Sequence, residues 1–228
     1  MILKEWIIID ELKVKVQLIR ALFISLFSAI GFGVLALSIS EDRISRVDYV
    51  IISFVQSLEA PALTSIMKFF TFIGGGAPVV IVSLMAGLFL FKILHHRREL
   101  ILFIWVVIGS SLLNDALKLI FHRARPTLHR IIDANGFSFP SGHSMAAFSL
   151  YGVMAFLLWR HLSSSKGRGI LIVLSVVMIL MIGISRIYLG VHYPSDVLGG
   201  FLASGCWLSV SIWLYQRYME NLLEAKHN

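Results

Sequence analysis

The chain has 228 residues, of which 57% are hydrophobic and only 14% are charged, whereas soluble domains carry about 25% charged residues. This composition excludes an ordinary soluble domain and favours a membrane protein. The single cysteine, Cys206, excludes an internal disulfide and a thiolate metal cluster, and the net charge of +7 is explained by basic cytoplasmic loops rather than by a nucleic-acid partner.

Long apolar segments predict six transmembrane helices, because about 20 apolar residues cross the hydrocarbon core of a bilayer. In chain order these segments are residues 21–40, 77–94, 100–121, 142–159, 169–188 and 196–217. Between the first two, residues 44–73 contain two apolar stretches on either side of Pro61, each too short to span alone. We interpret them as two short interfacial or re-entrant helices, with a seventh span as the alternative. The predicted fold is one all-α integral membrane domain over residues 1–228, with no cleaved signal peptide.

The distribution of Lys and Arg predicts the orientation of the chain, since cytoplasmic loops carry an excess of these residues. On the side that holds both termini lie 12 of the 20 basic residues: Lys4, Lys13, Lys15, Arg20, Lys92, Arg97, Arg98, Arg160, Lys166, Arg168, Arg217 and Lys226. We therefore expect both termini in the cytoplasm of a plasma-membrane protein. The outer face then holds the segments 41–76, 122–141 and 189–195.

Three groups of polar and ionisable residues stand at the ends of predicted spans, where such residues are costly unless they serve a function. They are KLIFHRARP (with Lys118 and Arg125), PSGH (Pro140, Ser141, Gly142 and His143) and SRIYLGVHYPSD (with Arg186, His192 and Asp196). No span lies between the first and second groups, and two spans lie between the second and third. All three groups are therefore predicted to meet on one membrane face.

The spacing inside the first two groups suits an anion. Lys118 and Arg125 are seven residues apart, close to two helical turns, so they share one face of a helix. Gly142 and His143 stand at the start of a span, where free backbone N–H groups and the helix dipole favour negative charge. The cations match a phosphate in particular.

The third group suits nucleophilic chemistry. His192 and Asp196 are one helical turn apart, so the carboxylate can hold one ring nitrogen and leave the other free to attack. Together with His143 this supplies a nucleophile and a general acid. Because Cys/His ligand spacing is absent and carboxylates are few, we expect no metal and no other cofactor.

The three groups, in this order, resemble the signature of the type 2 phosphatidic acid phosphatase family: K-x6-R-P, then P-S-G-H, then S-R-x5-H-x3-D. Every signature position is filled in this chain. Within the family, size and layout are most similar to the bacterial phosphatidylglycerophosphatase B group. The resemblance implies metal-independent hydrolysis of a phospholipid or polyprenyl phosphate.

The resemblance also implies a role for each matching residue. His192 would be the nucleophile that forms a phosphohistidine, oriented by Asp196. His143 would protonate the leaving lipid alkoxide and later help to activate water. The phosphoryl oxygens would be bound by Lys118, Arg125, Arg186, Ser141 and the backbone at Gly142.

The favoured hypothesis is an integral membrane phosphatase that hydrolyses phosphatidylglycerol phosphate, with phosphatidic acid as a further substrate. Undecaprenyl diphosphate is the alternative substrate, since the motifs bind phosphate and leave the lipid and the oligomeric state open. A non-catalytic phospholipid binder or transporter is disfavoured, because the charges cluster at one end instead of lining a path through the bilayer. A phosphotransferase or a vanadate-dependent oxidase of the same fold ranks lower.

The remaining charged and glycine-rich positions near these groups are expected to be structural. Asp115 is a candidate salt-bridge partner for Lys118. A solvated loop is expected to hold His122, Arg123, His129, Arg130 and Asp133. The run Gly74 to Gly76 is expected to break a helix, since no lysine follows it as in a phosphate-binding loop.

Overall fold

The structure, a computed structural model, describes residues 2–92, 97–127 and 129–227. These residues form helices and no strand, and the helices are α1 (Ile2–Ser40), α2 (Ser45–Ser57), α3 (Pro61–Ile73), α4 (Gly76–Lys92), α5 (Arg97–Phe121), α6 (Gly142–Trp159), α7 (Ser165–Tyr188) and α8 (Pro194–His227). The predicted end of the second span, at residue 94, lies outside the described residues.

Five of the described helices are long and apolar enough to cross a membrane. Their candidate spans are Leu18–Ser40, Arg98–Phe121, Gly142–Trp159, Ser165–Tyr188 and Pro194–Leu222. Helices α3 and α4 qualify together as a sixth span that is bent by 55° at the break between them. The prediction of an all-α integral membrane fold is confirmed, with five spans among the described residues, or six if the bent pair α3–α4 counts as one. Two short helices, α2 and α3, follow the first span as predicted, but α3 continues through the bend into α4 instead of standing apart from the second span.

Local sequence signals explain where several helices begin and end. Pro61 occupies the first turn of α3, where its missing N–H costs nothing and its fixed φ fits a helix. Gly74 caps the C-terminus of α3, and Gly76 has a φ of 53°, which a glycine adopts without strain. The glycine run therefore breaks the helix between α3 and α4 as expected.

Helix packing brings the polar ends of several helices together. Helix α1 packs along α8, α6 packs against α5, α7 and α8, and α3 packs against α7. Beside this bundle the segment after α7 is anchored by a buried cluster of Met67, Tyr188, Leu189 and Val191. The buried ring of Phe139 occupies space that a side chain at Gly199 would need. These contacts hold the segments 122–141 and 189–193 against the start of α8.

Candidate active site

The three polar groups of the sequence meet at one end of the bundle. Nη1 of Arg125, from the first group, lies 3.0 Å from Nε2 of His192 in the third. The backbone N–H of Ser141, from the second group, donates to the carbonyl of Asp196 at 3.0 Å. Residues that are far apart in the chain thus share one site, which is buried at Ser141, His192 and Asp196.

The start of α6 is approached closely by two side chains of α5. A Cβ atom at Gly142 would lie 2.9 Å from Oδ1 of Asn114 and 3.6 Å from Nζ of Lys118. The Asn114 amide also donates to the carbonyl of Pro140 at 3.2 Å. Glycine at position 142 therefore leaves room for the Asn114 amide. The Lys118 ammonium lies beside the N-terminus of α6, where both favour an anion.

The imidazole of His192 is held in one tautomer by its neighbours. Arginine can only donate hydrogen bonds, so the His192 Nε2 that faces Arg125 is unprotonated. The proton is then on Nδ1, which lies 3.4 Å from Oδ2 of Asp196. Asp196 in turn accepts from the backbone N–H of Tyr193 at 2.9 Å and from the hydroxyl of Ser138. The lone pair of Nε2 points towards the guanidinium of Arg125.

Burial controls the charge of this histidine. The side chain of His192 is 1% exposed, and burial lowers its pKa to about 4, against the opposing effect of the Asp196 hydrogen bond and charge. His192 is therefore neutral at pH 7, and its unprotonated Nε2 carries a lone pair that lies against the Arg125 guanidinium. Burial also lowers the pKa of Arg125, but a guanidinium remains protonated at neutral pH.

Arg186 is a buried cation with hydrogen-bonding capacity to spare. Its side chain is 5% exposed, and Nη1 donates to the hydroxyl of Thr71 on α3. Its Nε atom is buried and has no partner among the described residues. Since leaving a buried charged donor unpaired is expensive, this guanidinium is suited to an anion that enters the site.

His143 lies in the first turn of α6, and its ring is covered by the turn between α3 and α4. A Cβ atom at Gly75 would lie 2.2 Å from Nε2 of His143. The ring interacts electrostatically with Arg186, His192, Lys118 and Arg125. Ser141 caps the same helix, its Oγ accepting from the N–H and the hydroxyl of Ser144 at 3.4 and 3.0 Å.

A mostly apolar cavity of about 980 Å³ adjoins His143. Its walls come from the α3–α4 turn and from α4, α5 and α6, and include Ser83, Gly87 and Leu88. Asn114, Gly142 and His143 form its polar end. A cavity of this kind can receive an acyl or prenyl chain while the attached headgroup reaches the histidines.

Arg123 contradicts the expectation of a solvated loop. Its side chain is 13% exposed and forms ion pairs with Asp48 at 2.9 Å and Asp196 at 2.7 Å. The backbone bond from Ser138 N–H to the Arg123 carbonyl, 2.8 Å long, folds this loop back over the start of α8. His122, His129, Arg130 and Asp133 are exposed, as expected. Asp115 is exposed too and acts on Lys118 electrostatically.

Five residues at this site were not predicted from the sequence: Asp48, Thr71, Gly75, Asn114 and Ser138. Each lies outside the three motifs, and each reaches the site only through tertiary packing. The one available signal was a carboxylate, Asp48, in an otherwise largely apolar short helix. Among the described residues, no group of three or more His, Cys, Asp or Glu side chains could hold a metal ion.

Comparisons with known proteins find similar membrane phosphatases. The model of the PAP2 superfamily matches residues 99–220. Phosphatidylglycerophosphatase B of Bacillus subtilis is 35% identical over 181 residues, which cover 78% of this chain and 87% of that protein. The crystal structure of a transmembrane PAP2-type phosphatidylglycerolphosphate phosphatase from Bacillus subtilis superposes with a TM-score of 0.73 at 32% identity, covering 86% of this chain and 96% of that one. Undecaprenyl-diphosphatase of Sulfolobus acidocaldarius is 34% identical over 89 residues, 39% of this chain and 38% of that protein.

Proposed function

This chain belongs to the PAP2 superfamily, and we propose that it hydrolyses the phosphomonoester of phosphatidylglycerol phosphate through a phosphohistidine on His192. It is a multi-pass membrane lipid phosphatase, a hydrolase of phosphoric monoesters. The observation that carries the finer proposal is the neutral Nε2 of His192, 3.0 Å from the Arg125 guanidinium. A phosphoryl group bound by that cation would lie within reach of the lone pair.

In the proposed reaction, Nε2 of His192 attacks phosphorus and forms a P–N bond while the P–O bond to the lipid breaks. The leaving alkoxide takes a proton from His143. Water then attacks the phosphorus atom, gives a proton back to His143 and displaces Nε2, which recovers its electron pair as phosphate leaves. Asp196 accepts a hydrogen bond from Nδ1–H throughout and stabilises the positive charge that the ring gains.

The phosphoryl oxygens are bound by the cationic side chains and by the N-terminus of α6. Together these groups supply the positive charge that a metal ion supplies in other phosphatases. These ligands are Lys118, Arg125, Arg186, Ser141 and the backbone N–H groups from Gly142 onwards. A cationic site of this kind supports metal-independent turnover. The apolar cavity beside His143 supports a lipid substrate.

The basic residues near the termini support a cytoplasmic location for both chain ends and an outer-face location for the site. The whole chain would then act as one catalytic domain in the plasma membrane, on lipids of the outer leaflet. Undecaprenyl diphosphate is the second candidate substrate, since one relative is an undecaprenyl-diphosphatase. Turnover of the two lipids by one purified sample distinguishes these substrates.

The test of the proposal is phosphate release from phosphatidylglycerol phosphate by the purified full chain in detergent with EDTA. We expect activity with EDTA, competitive inhibition by vanadate, and loss of at least about 1,000-fold in kcat for His192→Asn. A brief incubation with labelled substrate should leave acid-labile, alkali-stable label on the protein, and none on His192→Asn. His129→Asn is the matched control, since this histidine is exposed in the outer loop. Full activity of His192→Asn, or a requirement for Mg²⁺, would contradict the mechanism.

A further inference from the structure

Arg123 joins two buried carboxylates at the edge of the site. Its Nη1 donates to Oδ1 of Asp196 at 2.7 Å and to the hydroxyl of Ser195 at 2.7 Å. Its Nη2 donates to Oδ2 of Asp48 on α2 at 2.9 Å. The side chains of Asp48 and Asp196 are 2% and 0% exposed, so both carboxylates depend on these bonds for compensation.

The same arginine is held on its remaining sides. Its guanidinium stacks over the Tyr193 ring at 4.1 Å from the centroid. Asp48 accepts a second set of bonds from Ser195, with the backbone N–H at 2.9 Å and the hydroxyl at 2.5 Å. Helix α2, the loop between α5 and α6 that carries Arg123, and the start of α8 thereby form one hydrogen-bonded unit.

The charge of this unit bears on His192. One guanidinium shared by two carboxylates leaves this unit with a net charge of −1, on the Nδ1 side of the imidazole. The Arg125 guanidinium lies on the opposite side, at Nε2. If Arg123 were paired with Asp196 alone, it would neutralise the charge of Asp196. The hydrogen bond that Asp196 accepts from Nδ1–H of His192 would then be weaker. By taking part of the arginine charge, Asp48 preserves the negative field that stabilises a positively charged, phosphorylated ring.

We propose that Arg123 and Asp48 are positioning residues, which fix the place and the charge of Asp196 and through it the tautomer of His192. This inference rests on the proposed function. Neither side chain forms a hydrogen bond or ion pair with His192, and the guanidinium of Arg123 is already paired with both carboxylates. The short helix α2 is then part of the catalytic framework, because it supplies Asp48.

Two variants separate positioning from substrate binding. Asp48→Asn keeps the shape of the side chain and removes its charge, and Arg123→Lys keeps a charge that cannot bridge two carboxylates. We expect kcat for phosphatidylglycerol phosphate to fall about 10- to 100-fold in each. Competitive inhibition by inorganic phosphate should change by less than about threefold, since neither residue contacts the phosphoryl group. Asp133→Asn, an exposed carboxylate of the outer loop, should match the wild type in both measurements.

The double variant gives a further test. The two residues act as a unit, so Asp48→Asn with Arg123→Lys should lose less kcat than the product of the single losses. Unchanged kcat in a folded Asp48→Asn protein would overturn the inference. A phosphate inhibition constant that rises as much as kcat falls would overturn it too, because Arg123 would then bind substrate.

A readout that needs no turnover keeps this inference separate from the proposed reaction. Nitrogen-15 NMR of labelled histidine at pH 7 reports the His192 tautomer, with the signal assigned by its loss in His192→Asn. We expect a proton on Nδ1 in the wild type and a mixture of tautomers in Asp48→Asn. If the wild type releases no phosphate, the proposed function fails. The positioning inference is then still tested by the tautomer of His192: a change in Asp48→Asn supports it, and no change overturns it.

Discussion

Gly75 lies directly against the imidazole of His143, so that a Cβ atom at position 75 would be 2.2 Å from Nε2. This is far inside van der Waals contact between heavy atoms. The turn between the two halves of the bent span therefore forms one wall around the proposed proton donor. A helix break that sequence analysis explained by local conformation has this second, tertiary role.

Replacing Gly75 by alanine should displace the His143 ring. We expect kcat to fall by about 100-fold, because shifts of about 1 Å in a catalytic group cost that much. Gly33→Ala in α1 is the control, since a Cβ atom there meets nothing within 4 Å. Steady-state kinetics beside thermal unfolding would decide the point, and wild-type kcat in Gly75→Ala would show that His143 does not need its present position.

The buried position of His192 predicts the acid side of the pH profile. With a pKa of about 4, the ring is neutral above that pH and becomes protonated, and unable to attack, below it. We expect kcat/KM, corrected for the second ionisation of the substrate phosphate near pH 6, to fall with a midpoint near pH 4. On the alkaline side it is kcat that should fall, as His143 in the substrate complex loses the proton that the bound phosphate dianion helps it to hold. Assays between about pH 3.5 and 9 test both limbs, and a flat profile from pH 5 to 9 speaks against the proton donor.

The guanidinium of Arg125 is predicted to be irreplaceable by an ammonium. It donates to the carbonyls of Gly136, Asn135 and Val191 at 2.8 to 3.0 Å in addition to the His192 contact. A lysine cannot span these acceptors, so Arg125→Lys should lower kcat/KM by about 100-fold.

The matched control for this charge-conserving change is Arg46→Lys, since Arg46 is exposed on α2. Kinetics on phosphatidylglycerol phosphate measure both variants in the same detergent. Equal kcat/KM for Arg125→Lys and the wild type would mean that the several N–H donors of the guanidinium are not required.

The cavity beside His143 predicts a dependence on chain length. Ser83 lines the cavity, and Ser83→Phe would fill part of it. We expect KM for a long-chain substrate to rise about tenfold, with little change for a short-chain soluble analogue. Ile81→Phe, two residues away and on the exposed face of α4, should leave both values unchanged. A similar KM increase for both substrates would place the lipid chain elsewhere.

Much of the fold was predictable because membrane crossing is governed by local composition. The start and end of α6 at Gly142 and Trp159 match the prediction, and the first, third, fifth and sixth predicted spans agree to within about five residues. The second differs, because its helix is joined to α3 through a bend. Counting spans also predicted that Arg125, His143 and His192 lie on one face. The boundary between the two short helices followed from Pro61.

The supporting residues of the site were beyond this reach. Asp48 is 147 residues from Ser195, which donates to it, and Thr71 is 115 residues from Arg186. No periodicity marks such pairs, because they depend on which helix faces meet. Arg123 is an example: its position in a loop predicted a solvated side chain, but the side chain is mostly buried between two carboxylates.

By itself, the sequence determined the membrane class, the positions of the long spans and the chemical groups at the shared end, since these depend on apolar length, parity and residue type. Only the tertiary structure decided which nitrogen of His192 is free, what holds Asp196, and where an apolar chain can lie. Those properties depend on distances of a few ångströms between helices that are remote in the chain, and packing alone sets such distances.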